Sequence, residues 1–255
     1  MLLAVDVGNT NIKYGVFNGK ELVASFRAAS ILSRTADEYG SVLLNLLSDR
    51  NIKKSEIDGI ILSSVIPSLN YTILHMCEDF FGIKPLIVGP GIKTGLNVKV
   101  ENPKEVGADR IVNSVSAYKK YGGPLVVIDF GTATTFNVVD ENGCLIGGVI
   151  APGIKTALDS LVKNTAQLPT IELSSPKSVI AKSTETNMQA GIIFGFSGLV
   201  DNIVAKIKSE LGVSELKVIA TGGLGKIIAK ETNSIDKVDR TLTLDGLRMI
   251  YELNK

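Results

Sequence analysis

Residues 2–18 read LLAVDVGNTNIKYGVFN, an apolar strand that enters the turn Asp6-Val7-Gly8-Asn9-Thr10 and leaves it as a second apolar strand. Residues 125–142 read LVVIDFGTATTFNVVDEN, so the turn returns 123 positions later as Asp129-Phe130-Gly131-Thr132-Ala133. Each copy is acidic, contains glycine and is rich in side-chain oxygen. Glycine lets backbone N–H groups come close to a phosphate, Asn and Thr add polar partners, and Asp can hold a cation or its water shell. Two such turns facing each other would grip a nucleotide triphosphate from both sides.

Working outward, the first half reads as strands at 2–6, 12–17 and 21–28, a helix at about 34–49, a strand at 59–65, a helix at 68–81 and a strand at 85–88. The second half repeats that order. It has strands at 125–128, 135–139 and 144–151, helices from about Ile154 and Met188, a strand at 216–221, and helices after Leu224 and Thr243. Strands alternating with amphipathic helices predict parallel pairing with helices on the sheet faces. A hinge is expected at 117–124, where Tyr121-Gly122-Gly123-Pro124 interrupts a helix, which divides the chain into halves 1–118 and 119–255. Residues 168–183 form the one long irregular stretch.

Composition narrows the function classes. The chain has 255 residues with 45% apolar content, enough for a substantial core, and its 27 basic and 26 acidic side chains nearly cancel. No run of Lys or Arg forms a polyanion track, so nucleic-acid and membrane-surface binding are disfavoured. The most apolar stretch, 191–200, is about half of a ~20-residue membrane span, and a cytoplasmic protein is expected. Cys77 and Cys144 have no metal-type spacing and read as reduced thiols. His75 is the only histidine and lies in an apolar helical pattern, which disfavours serine–histidine hydrolysis, histidine-rich zinc sites and phosphohistidine transfer. A proton taken from a substrate would then go to a carboxylate.

The first turn, Asp6, Val7, Gly8, Asn9, Thr10, Asn11, Ile12 and Lys13, combines one carboxylate, close backbone approach, three polar side chains and one ammonium. Adjacent Gly and Asn also make ordinary hairpin turns. The Asp before them and the Thr and Lys after them are not needed for a turn, and they point to phosphate and Mg2+. The third constellation is Asn102-Pro103-Lys104-Glu105-Val106-Gly107-Ala108-Asp109-Arg110, read as opening a helix. Taken alone, Asp109 there is a cap or a partner of the helix dipole.

Duplicated halves that each open with an acidic glycine hairpin resemble the superfamily of actin, hexokinase, acetate kinase and the heat-shock ATPases. The resemblance implies an α/β fold of two actin-like (ribonuclease H-like) βββαβαβα halves, with mixed sheets carrying helices on both faces. The four motifs DVGNTNIK, NPKEVGADRI, DFGTATTFN and GGVIAPGI, in that order, resemble type III pantothenate kinase, which phosphorylates pantothenate with ATP in the first step of coenzyme A biosynthesis. That resemblance implies ATP phosphates on Asp6 to Lys13, with Mg2+ held through water by Asp6. It makes Asp109 the general base, with Gly107, Ala108 and Arg110 lining the substrate. It further implies a monovalent cation, K+ or NH4+, on Asp129, ATP contact from Thr132, and pantothenate contact from Thr184 in the context Lys182-Ser183-Thr184. Val100 stands where many members carry an aromatic residue against the substrate. Thr221-Gly222-Gly223 is similar to the superfamily's adenine-contacting turn, and a strand ending in Thr-Gly-Gly is also an ordinary loop. Gly191, Gly195 and Gly198 on one apolar helix allow close backbone approach, either within the chain or between subunits, and the resemblance implies a homodimer. Two alternatives stay open: another sugar or small-molecule kinase or phosphatase of the superfamily, and a nucleotide-sensing transcriptional accessory factor.

Overall fold

The computed structural model describes residues 1–255. In chain order the elements are β1 (Leu2–Val7), β2 (Asn11–Asn18), β3 (Glu21–Ala29), α1 (Ala36–Ser48), β4 (Gly59–Ser64), α2 (Pro67–Phe81), β5 (Leu86–Ile87) and β6 (Asn97–Val98). Then follow α3 (Ala108–Tyr121), β7 (Leu125–Phe130), β8 (Ala133–Val139), β9 (Cys144–Pro152), α4 (Ile154–Lys163), α5 (Thr184–Leu211), β10 (Lys217–Gly222), α6 (Gly225–Ile228), β11 (Lys237–Val238) and α7 (Leu242–Leu253). The five-stranded sheet has the order β3-β2-β1-β4-β5, and the six-stranded sheet has the order β11-β10-β7-β8-β9-β6. With β6 set aside, the second order repeats the first element for element. In each half the opening strands pair antiparallel, and the later ones add in parallel to the first. The duplicated α/β architecture is therefore present as expected.

The chain divides into two compact units: Met1–Leu96, Glu101–Ser116 and Leu242–Lys255 in the first, and Asn97–Val100 and Ala117–Thr241 in the second. In the first unit every residue of β1 is buried, which is why Leu2–Val5 reads as a continuous apolar run rather than an alternation, with Asp6 the one charged side chain of the strand. One sheet face packs against α1 and α2. Thr35 caps α1 reciprocally with Glu38, and spacings of four put Tyr39, Leu43 and Leu47 in the core. Burial of a side chain the size of Leu43 contributes roughly 1.5–3 kcal/mol. Pro67 opens α2, and Gly82 closes it at φ 67°. α7 packs on β1, β2 and β4, with Leu244 seated over Gly15 and Tyr251 over Gly59, where no side chain would fit.

This return of α7 to the first unit differs from a single division at 118/119. Leu242, Leu247 and Ile250 are buried there, and an apolar stripe does not say in advance which sheet it will cover. A further crossing falls inside α3, between Ser116 and Ala117, and residues Asn97–Val100 make a short excursion into the second unit before it. That helix runs on to Tyr121 and ends at Gly122, which sits at φ 70°.

In the second unit the core joins Val126, Ile128, Phe130, Phe136 and Val138 to Ile193, Phe196, Val200, Val204 and Ile207 of α5. α5 begins at Thr184, four residues ahead of the expected start, because Ser183 caps it by accepting from the Thr186 N–H. By length and composition α5 matches a membrane span, whereas 191–200 alone suggested half of one. Its buried stripe covers the second sheet. Neither β6 nor β11 was expected, since each is only two residues long.

Asp239, just after β11, ties the second unit together. It accepts from Lys120 Nζ and Tyr121 Oη, each at 2.8 Å, and from the N–H and hydroxyl of Thr241 at 3.0 Å. Burial pushes the carboxyl up, but these donors outweigh it and leave the group below its ordinary value. A lowered folded value means stabilisation present above the unfolded value of about 3.9 and lost as pH falls through the folded one. Melting temperature should therefore fall on the acid side, and Asp239→Asn should flatten that limb while lowering stability near neutrality. An unchanged acid limb would remove Asp239 from this role.

Candidate active site

Hydrogen-bond register builds the first half of the site. Asp6, one residue before the end of β1, pairs with Lys13 of β2 on one side and Ser63 of β4 on the other. Neighbours in register share a sheet face, so the three side chains form a row. Ser63 Oγ donates to Asp6 Oδ1 at 2.7 Å, and Lys13 Nζ lies 3.3 Å from Oδ2. The carboxylate is 4% exposed. Beyond it, Gly8 N–H donates to the Asn11 carbonyl, and Ser30 donates through its hydroxyl to Gly8 O and through its N–H to Thr10 O. The turn is thereby held closed while Asn9, Thr10 and Asn11 stay exposed. The side chains of Val7 and Ile12 lie in the core, so only their backbone is available to a ligand.

Asp109 stands at the same end of the first sheet. Val65, directly after β4, donates its N–H to Val7 O. A methyl group built on Gly107 would lie 3.8 Å from Val65 and 2.6 Å from Asp109 Oδ1. The motif does not open one continuous helix. A short 3-10 turn at Pro103–Glu105 precedes Val106 and Gly107, and α3 starts at Ala108 with Asp109 in its first turn. Oδ1 of Asp109 accepts from Arg110 N–H at 2.8 Å. Burial pulls the Arg110 guanidinium down from its ordinary value, and Asp109 opposes that shift. Behind this turn, Thr243 of α7 donates to Asn113 of α3 at 2.8 Å.

Gly107 is thus glycine because a side chain would collide with the Asp109 carboxylate. Gly107→Ala should displace that carboxylate and lower turnover by roughly tenfold or more, with little change in melting temperature. Wild-type turnover in this variant would show that the carboxylate position is not critical.

The second half holds Asp129, which pairs in register with Thr135 of β8 and Thr221 of β10. Gly131 N–H closes its turn on Ala133 O, and Thr132 O accepts from Gly153 N–H at 3.1 Å and Thr156 Oγ1 at 2.7 Å. The motif GGVIAPGI therefore pins the second turn through Gly153, which packs on the carbonyls of Gly131 and Thr132. Gly222 sits at φ 93° with Phe130 backbone 2.5 Å from where a methyl group would be, a position only glycine fills. Thr184 starts α5 beside a groove of about 600 Å3 lined by Leu161, Leu168, Asn187, Met188, Gly191 and Ile192. Val100 follows β6. Both lie in the second unit, while Gly107, Ala108, Asp109 and Arg110 lie in the first.

Cys77 and Cys144 are buried free thiols, and burial pushes Cys77 up to about 12. His75 lies on α2 with its ring 4.1 Å from that of Tyr71. Ser63, Ser30 and Thr156 were not read from the sequence. A Ser-Ser pair ending an apolar strand is a weak signal, and only strand register reveals its partner.

No three His, Cys, Asp or Glu side chains converge into a cage. The donor sets are single carboxylates with hydroxyls and backbone beside glycine turns. They suit hard cations that keep water or phosphate oxygens as their other ligands.

Two mixed sheets of repeated order, each with an acidic glycine turn at the end of its first strand, define the actin-like ATPase fold. Solved structures share it. They include a protein of the Baf family of transcriptional activators from Campylobacter jejuni, with a TM-score of 0.62 at 19% identity, covering 99% of this chain and 98% of that one. A protein assigned as 2-dehydro-3-deoxygalactonokinase from Sinorhizobium meliloti gives 0.64 at 12% identity, with 99% and 98% covered. The activator of 2-hydroxyisocaproyl-CoA dehydratase from Clostridium difficile, solved with ADPNP, gives 0.53 at 14% identity, with 99% and 94% covered. Over residues 2–206 the sequence matches the family model of type III pantothenate kinase, and the chain belongs to that family. It is accordingly a phosphotransferase of the kinase type.

Proposed function

We propose that this protein transfers the γ-phosphoryl group of ATP to the primary hydroxyl of pantothenate. Family membership supports the substrate. The observation that carries the reading is the Asp109 carboxylate at the same end of the first sheet as the Asp6 turn, with Gly107 leaving it room. Asp109 accepts the hydroxyl proton at a carboxylate oxygen as the oxygen attacks the γ-phosphorus and the bond to the β,γ-bridging oxygen breaks to release ADP, while Arg110 and the backbone of 107–108 orient the substrate. Gly8, Asn9, Thr10, Asn11 and Lys13 hold the phosphates, and Asp6 holds the water shell of Mg2+. When bound, Mg2+ and a monovalent cation at Asp129 neutralise phosphate charge. Thr132 contacts ATP from the second turn, and Thr184 and Val100 face pantothenate. The protein works in the cytoplasm as a homodimer, with the glycine face of α5 supporting the subunit contact; a methyl group on Gly191, Gly195 or Gly198 would meet nothing in this chain.

A substrate panel tests the assignment. The purified protein is given ATP, Mg2+ and K+ with pantothenate, N-acetylglucosamine, 2-dehydro-3-deoxygalactonate or inorganic polyphosphate. Pantothenate should be preferred in kcat/KM by several orders of magnitude. Comparable or greater turnover of another compound would replace the substrate and leave the kinase class intact.

A further inference from the structure

The side chain that holds Asp6 in place is itself fully buried. Ser63 is 0% exposed, so it cannot touch a ligand, and its hydroxyl donates to Asp6 Oδ1 at 2.7 Å. The other carboxylate oxygen faces Lys13 Nζ at 3.3 Å. Asp6 is therefore held between a neutral donor and a cation on adjacent strands, and the two pull on different oxygens. With the neutral donor gone, the ammonium is the stronger attraction and can draw both oxygens toward itself. The second half repeats the hydroxyl side of this arrangement, since Thr221 stands beside Asp129 in the register position that Ser63 holds beside Asp6, while Thr135 stands where Lys13 does.

We propose that Ser63 is a positioning residue that keeps Asp6 Oδ1 from turning onto Lys13, which already faces Oδ2, and so keeps the carboxylate available to the water shell of Mg2+. The proposal rests on the reading of the first turn as the Mg·ATP site. Ser63 acts by fixing one torsion of Asp6. Its loss should alter the response to Mg2+ and leave the pantothenate side of the reaction untouched. Losing one hydrogen bond to a charged acceptor corresponds to roughly tenfold or more in the interaction that it supports.

The experiment measures binding of a non-hydrolysable ATP analogue by calorimetry at increasing Mg2+, together with steady-state kinetics, for wild type, Ser63→Ala, Ser63→Thr and Asp6→Asn. Ser63→Ala should raise the Mg2+ needed for half-maximal analogue binding about tenfold. It should raise KM for Mg·ATP while KM for pantothenate stays constant. Ser63→Thr should restore both, since a threonine already fills the equivalent position in the second half. If Ser63→Ala does not fold, Ser63→Cys replaces it, because a thiol is a poor donor. Unchanged Mg2+ dependence with only a lower melting temperature would overturn the proposal and reduce Ser63 to a core residue. Normal Mg2+-dependent analogue binding by Asp6→Asn would overturn the reading of the first turn itself, and the proposal with it. Failure on pantothenate alone would leave the binding result, and so the proposal, standing.

Discussion

Asp109→Asn should lower turnover with pantothenate by ~10²–10⁴-fold, or roughly 3–5 kcal/mol of barrier, while leaving ATP binding near the wild-type level. A primary alcohol is a poor nucleophile, and no histidine stands among the candidate site residues to help it. The sole one, His75, is on α2 beside Tyr71. Asn preserves the size of the side chain and an oxygen to accept from the Arg110 N–H, but it cannot take a proton. If Asp109 served only the helix start, Asn would be nearly as good, and turnover would stay close to wild type with stability changed by at most ~1 kcal/mol. Turnover and melting temperature of this one variant separate the two roles.

Replacing K+ by choline or another large organic cation should nearly abolish turnover. The second turn carries Asp129 between two threonines in register, and a small monovalent cation there would offset phosphate charge. A large organic cation cannot reach a carboxylate set among strand ends. Equal rates in KCl and choline chloride at constant ionic strength would remove Asp129 from the cation role.

The fold was legible because the repeat carries it. Asp6 and Asp129 recur with the same strand before and after them, and a duplicated hairpin has few architectures open to it. The two expected turns fall where register puts Asp6 and Asp129 at the ends of β1 and β7. Other features depend on tertiary register. Ser63 is 57 residues from the carboxylate that it holds, and no local pattern links them. α7 has the same amphipathic pattern whichever sheet it covers, so its return to the first unit is decided by complementarity at Gly15 and Gly59. The break between the 3-10 turn and α3 comes from Val106 and Gly107, which the sequence presents as part of one acidic helix start. Val7 and Ile12 illustrate the converse. They lie inside a binding motif, yet their side chains belong to the core.

The most direct test of the whole account is the mass spectrum of pantothenate after incubation with wild-type protein, ATP, Mg2+ and K+, with Asp109→Asn run in parallel. A product heavier by one phosphoryl group should form in step with ADP with the wild type and only in traces with the variant. ADP formation without phosphorylated pantothenate, or equal product from both proteins, would contradict it.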